Sequence, residues 1–181
     1  MDIYQLFITY NPVWTRREIV CFSILCLFAA VWAVYLLCHR KILPSQAISG
    51  MLLLIFLGIV FGSTVFTRTG TILQFELVPF WSWRDIIRYN DWTLLKENLL
   101  NCILLLPAGV LLPIIANHKI KWYQALAVGI LVSAIIEFSQ LIFMRGLFEW
   151  DDMIHNGLGC MIGCLFANIF CELPVIFPPK E

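Results

Sequence analysis

Five apolar runs, each close to the length of a bilayer crossing, leave this chain few folds to adopt. They are Ile19–Cys38, Ala47–Phe66, about Asn98–Ala116, Trp122–Met144 and about Met153–Cys171. Roughly 20 apolar residues carry a helix across a hydrocarbon core of about 30 Å. In lipid every backbone N–H and C=O must be satisfied inside the segment, so runs of this length read as helices. Charges bound them: Arg16 and Arg17 before the first, His39, Arg40 and Lys41 after it, Arg68 after the second, His118, Lys119 and Lys121 after the third. The chain is 61% apolar, against roughly 45–50% in an average globular protein, and its mean hydropathy is +0.86. The expected fold is all-α, a polytopic membrane bundle of about five helices.

The third run should not be straight. Pro107 and Pro113 flank Gly109. Each proline removes one helical hydrogen bond and crowds the carbonyl four residues back. A kink, or a break into two half-helices, is predicted there. Two further segments read as interfacial. Residues 1–15 carry Tyr4, Phe7, Tyr10 and Trp14, and the connection from Thr67 to Glu97 mixes Phe80, Trp81, Trp83, Tyr89 and Trp92 with Arg84, Arg88 and Lys96. Aromatic rings interleaved with arginine suit the headgroup layer.

Other classes are disfavoured. Twelve basic residues balance twelve acidic ones, so no polyanion-binding face is implied and nucleic acid is not an expected partner. The seven cysteines all lie in or at the ends of apolar runs and form no CxxC pair, which fits free thiols packing as small hydrophobes. No cleavable signal is evident: the first apolar run begins only at Ile19, is long enough to span, and no clean small-x-small cleavage site follows it. The chain has no GxSxG, no phosphate-binding glycine loop and no HExxH, so no nucleophile signature stands out and no cofactor is expected.

Against this background one polar string stands out: Glu137, Gln140, Arg145, Glu149, Asp151, Asp152, His155 and Asn156. A carboxylate at membrane depth costs several kcal/mol even on lenient scales, about 2.5–3.5 at the helix centre, and usually faces a protein interior or a cavity. With five spans alternating in direction, the string falls at the same membrane face as Asn98 and Asn101. Asn98 and Asn101 share one helical face at i, i+3, and so do Glu137 and Gln140, with Ser133 one turn before. Asp151 and Asp152 open the last run, where acidic residues suit the helix dipole. Gly159 and Gly163 form a GxxxG, read first as close packing within the bundle and second as a dimer seam.

Three arrangements of these groups stay open from the residues alone. In the first they form a satisfied structural network, with Glu137 paired to Arg145 or Arg68. In the second they line a cleft for a lipid headgroup, where the guanidinium forks of Arg68, Arg84, Arg88 and Arg145 hold a phosphate and a carboxylate acts as base or orients the polar group. In the third Glu137, Asp151, Asp152 and His155 hold a divalent metal, although no recognised ligand spacing is present and no metal site is assigned.

Taken in order, the motifs resemble the VanZ-like family of bacterial membrane proteins. The resemblance rests on Arg68, on Leu77-Val78-Pro79-Phe80, and on Asn98, Asn101, Pro107, Gly109 and Pro113. It continues through Glu137-x-x-Gln140, Arg145, Asp151-Asp152, Asn156, Gly159 and Gly163, covering about residues 50–172. Gly157 stands where the family commonly has Thr, and His155 where it is usually apolar, so no family role passes to His155. The resemblance implies a cell-envelope membrane protein associated with lowered susceptibility to teicoplanin, a lipid-tailed glycopeptide that acts outside the membrane.

These readings divide the chain into an N-terminal interfacial segment with the first helix (1–46), a VanZ-like domain (47–172) and a short tail (173–181). Glu137 and Asp152 are the candidate catalytic carboxylates. Arg68, Asn98, Asn101, Gln140, Arg145, Asp151 and Asn156 are the candidate binding residues. The expected partner is a membrane lipid or lipid-linked headgroup, with an envelope protein as a further possibility. A lipid-modifying enzyme and a non-catalytic membrane scaffold are the alternatives. A raw Lys/Arg count, seven against five, would put the polar loops in the cytoplasm. The compact clusters at Arg40-Lys41 and Lys119–Lys121 instead look like cytoplasmic anchors, so the polar loops are expected on the outer side of the cell membrane.

Overall fold

The structure, a computed structural model, describes residues 14–66 and 74–170. Helix α1 spans Arg16–Cys38. Its start is fixed by a capping box: Thr15 N–H donates to the Glu18 carboxylate at 2.8 Å, and Glu18 N–H donates to Thr15 Oγ1 at 3.4 Å. Helix α2 runs Pro44–Phe61, with proline in its first turn, and continues as a π-turn over Gly62–Phe66. After strand β1 (Gln74–Glu76) comes the short helix α3 (Trp81–Tyr89). Helices α4 (Trp92–Leu104) and α5 (Leu106–Ala116) follow. Helix α6 (Trp122–Ile142), strand β2 (Leu147–Glu149) and helix α7 (Trp150–Phe170) complete the described chain. Interfacial residues expected before Trp14 lie outside the described residues, as do Arg68 and Cys171.

This is an all-α membrane bundle. Among the described residues four spans are long and apolar enough to cross a bilayer: Arg16–Cys38, Pro44–Phe66, Trp92–Ala116 and Trp122–Ile142. Helix α7 is as long as α6, at 21 residues, but opens on Asp151, Asp152, His155 and Asn156. Its position explains how it tolerates them. Helix α7 is the hub, packed against α4, α5 and α6, whereas α1 packs against α2 and buries none of its residues. Lipid supplies no hydrophobic drive between apolar helices, so the helix with polar groups takes the centre and the greasiest helix takes the rim.

The third span breaks where proline requires it. Leu105 alone leaves the helical geometry, at φ −99° and ψ 6°, and separates α4 from α5. Pro107 has no N–H to offer the Ile103 carbonyl, and the ladder resumes with Gly109 N–H on the Leu105 carbonyl at 3.1 Å. The break is one residue deep, so the two pieces still make a single 25-residue span.

Glycines set how close α7 comes to it. A Cβ on Gly159 would sit 1.7 Å from the Cys102 carbonyl oxygen, and one on Gly163 would sit 2.1 Å from that of Leu106. From the other side, Gly109 faces the Cys160 carbonyl, where a Cβ would come within 2.0 Å. The GxxxG is therefore used inside the chain, against the broken helix.

One feature was not foreseen. Strands β1 and β2 pair in parallel, with Gln74 opposite Leu147, Phe75 opposite Phe148 and Glu76 opposite Glu149. Three-residue strands carry no usable hydrophobic period, and their partners are far apart in sequence. This ribbon ties the connection after α2 to the connection before α7, at the face where the polar residues gather.

Candidate functional site

The polar residues at this face come from α3, α4, α6, α7 and the connection between α6 and α7. Asp151, in the first turn of α7, is almost wholly buried, at 1% exposure. Its carboxylate accepts from the Phe80 N–H at 2.5 Å, the Ser82 N–H at 3.1 Å and the Ser82 hydroxyl at 2.5 Å. Phe80 is the N-cap of α3 and lies in the left-handed region at φ 60°, with no side-chain cap of its own. Asp151 thus caps α3 from another helix. Asn98 Nδ2 donates to Ser82 Oγ at 3.0 Å, which extends the chain of bonds to α4. One turn further along α7, His155 Nε2 accepts from the Trp83 indole N–H at 2.8 Å. Two side chains of α7 therefore hold two consecutive residues of α3.

A second group of bonds secures the end of α2. The π-turn leaves its last carbonyls without helical partners. Gln140 Nε2 donates to the Thr64 carbonyl at 3.0 Å. Arg145 Nη1 donates to the carbonyls of Val65 and Phe66, where a cation also complements the helix dipole. The candidate anion-binding guanidinium is in this structure a C-terminal cap.

The carboxylates lie between these groups. Glu137, buried in α6, accepts the Glu149 N–H at 3.1 Å. Asp152 accepts from Asn101 Nδ2 at 2.5 Å. Buried Asn156 donates to Ser133 Oγ at 2.8 Å across the α6–α7 contact. So Asn98, Asn101, Glu137, Gln140, Arg145, Asp151, Asp152 and Asn156 all converge on one end of the bundle, as expected, while Arg68 lies outside the described residues. No group of three or more His, Cys, Asp or Glu side chains is arranged to hold a metal among the described residues.

The VanZ/LLP1 family model matches residues 47–171, from the first turn of α2 past the end of α7. The chain belongs to the VanZ/LLP1 family. No curated protein matches it, and no solved structure matches it. The shared VanZ/LLP1 region contains the whole polar end of the bundle and leaves α1 outside.

Within the VanZ/LLP1 region three contributors escaped the sequence reading. Ser82 sits between Asn98 and Asp151 and is buried; a serine in the second position of a helix lacking a side-chain cap was the available sign. Trp83 looked like belt material but bonds His155. Glu149 belonged to the polar string without a role. Burial, then the carboxylates of Asp152, Asp151, Glu97 and Glu76, push its carboxyl from 4.5 up to about 7. Its side chain takes no hydrogen bond from the described residues.

Proposed function

We propose that this VanZ/LLP1 membrane protein acts at the bacterial cell envelope. On this reading its acid-lined end meets the headgroup of a lipid or lipid-linked molecule on the outer side of the cell membrane. Its presence lowers susceptibility to lipid-tailed glycopeptides such as teicoplanin. The observation that carries the reading is Glu149, half-buried and paired with Glu76 across the parallel ribbon, its carboxyl raised to about 7 by burial and by the nearby carboxylates. Strongly shifted carboxyls of this kind gather at functional sites more often than elsewhere. A carboxyl poised there exchanges a proton readily and serves a hydroxyl or amine equally as donor or acceptor. Glu137 and Asp152, each held by a neighbour from another segment, flank it as the candidate catalytic carboxylates. Asn101, Gln140 and Arg145 fix the backbone and side chains around them.

The test is a susceptibility assay in a teicoplanin-sensitive host. Expression of the wild type should raise the inhibitory concentration several-fold, and Glu149→Gln at equal membrane abundance should remove most of that rise. No protection from the wild type sinks the resistance half of the reading. Full protection from the variant removes the acid-lined end from it.

A second reading has its own support. Asp151, Gln140, Arg145 and Asn98 spend their polar atoms on bonds that join one element to another, as in a non-catalytic membrane scaffold. Cross-linking of wild type and Glu149→Gln to the same envelope protein, with equal yield, would favour that role.

A further inference from the structure

Helix α1 touches the bundle through α2, and the two are separated near the polar end by a groove of about 540 Å³. Its walls are apolar: Cys21, Phe22 and Leu25 on α1, and Leu54, Leu57 and Phe61 on α2. Two glycines shape it. The Phe22 ring sits on Gly58 and the Trp14 ring on Gly62, where a Cβ would come within 2.1 Å and 1.9 Å of them. The helices thus meet through ring-on-glycine contacts, and the space beside those contacts stays open. At the mouth stand Arg17 and Glu18. The Glu18 carboxylate takes the Thr15 N–H, while Arg17 is exposed and forms no ion pair among the described residues.

We infer that this groove is a binding site for a phospholipid, with one acyl chain between α1 and α2 and the phosphate on Arg17. Three observations favour this occupant. The volume lies within the roughly 300–1,000 Å³ of sites that enclose small molecules. From Arg17 to Leu25 the groove follows roughly 12 Å of helix axis at 1.5 Å per residue, close to the roughly 15 Å hydrocarbon depth of one leaflet. Arg17, the cation lining its mouth, lies in the first turn of a helix long and apolar enough to cross a membrane, and a guanidinium binds phosphate through paired hydrogen bonds. An acyl chain has the shape of the cleft and needs no hydrogen bond from its walls. Phe66 lines the groove and its carbonyl is held by Arg145, so the groove adjoins the polar end, but Arg17, Leu54 and Leu57 are no part of that end. The labelling experiment below and the susceptibility assay therefore fail separately.

The full chain is placed in nanodiscs with a phosphatidylglycerol analogue carrying a photoreactive group in mid-chain, and labelled peptides are quantified by mass spectrometry. Labelling of 21–25 and 54–61 should exceed by at least five-fold that of Leu99, Leu100 and Ile103, exposed apolar side chains just before the middle of the Trp92–Ala116 span. Equal labelling of the two regions overturns the site. Leu57→Trp, which fills the groove, should remove the excess and leave the α4 signal unchanged; Leu54→Trp serves if the first variant does not elute as a folded species. An excess that survives filling also overturns it. Arg17→Gln should reduce labelling by the phosphatidylglycerol analogue to that of a matching diacylglycerol analogue, and a preference that persists in the variant overturns the phosphate contact.

Discussion

Asp151 caps a helix to which it does not belong. From the first turn of α7 its carboxylate reaches back 69 residues to bind both the N–H and the hydroxyl of Ser82, besides the Phe80 N–H. A helix N-terminus has unpaired donors and a positive dipole end, and α3 provides no side-chain cap of its own. The carboxylate is buried at little net cost because it is fully engaged. In return α3, rich in aromatic and charged residues, is pinned to the centre of the bundle.

Asp151→Asn should lower stability by about 2 kcal/mol, through loss of the charge and of one acceptor at a buried helix start. The melting temperature in detergent reads the loss. Hydrogen exchange should rise at the amides of Phe80 and Ser82 while α6 is unaffected. Unchanged exchange at those two amides would show that the cap does not hold α3.

Glu149 makes stability depend on pH with a definite sign. Its carboxyl is pushed up to about 7 from 4.5, so between these values the folded state binds more protons than the unfolded state. Its contribution is therefore complete below about pH 4.5 and is lost as pH rises through about 7. Glu149→Gln should raise the Tm at pH 8 and change it little at pH 4.5. Because the group is only half-buried, screening holds the difference to on the order of 1 kcal/mol. The same shift at both pH values would contradict the assignment.

Gly159→Ala should be far more damaging than its size suggests. The new methyl would sit 1.7 Å from the Cys102 carbonyl oxygen, and backbone cannot swing aside as a side chain can. A loss of about 1–3 kcal/mol is expected. Elution volume should be unchanged for whatever fraction folds. A shift in oligomeric state with an unchanged Tm would favour a dimer seam instead.

Arg145 and Gln140 hold successive carbonyls of one π-turn, so their effects should couple. Arg145→Gln should cost about 1–3 kcal/mol as a lost charged hydrogen bond, and Arg145→Lys should recover part of it. In a double-mutant cycle with Gln140→Ala, the two losses should differ from additivity by at least about 0.5 kcal/mol. Strict additivity would mean that the two residues act on separate elements.

Much of the architecture was legible in the residues. Five apolar runs fixed the helices because lipid forbids an unpaired backbone. Pro107 announced the break, although the structure narrows it to Leu105. The alternation of the spans put the polar groups at one end of the bundle, and the i, i+3 spacing of Asn98 and Asn101, and of Glu137 and Gln140, put each pair on one helical face. The ordered motifs resembled the family to which the chain belongs.

What tertiary structure alone decided is who holds whom. Sequence offered Arg145 as a partner for an anion or for Glu137; the fold brings the end of α2 within its reach, and the unpaired carbonyls there claim it. The β1–β2 ribbon, the cap on α3 and the shifted Glu149 all depend on segments tens of residues apart. Periodicity reports a residue's neighbours along one helix. Hydrogen-bond partners, and the burial that moves a carboxyl from 4.5 to about 7, are set by whichever element packs alongside, and that is settled only when α7 takes the centre.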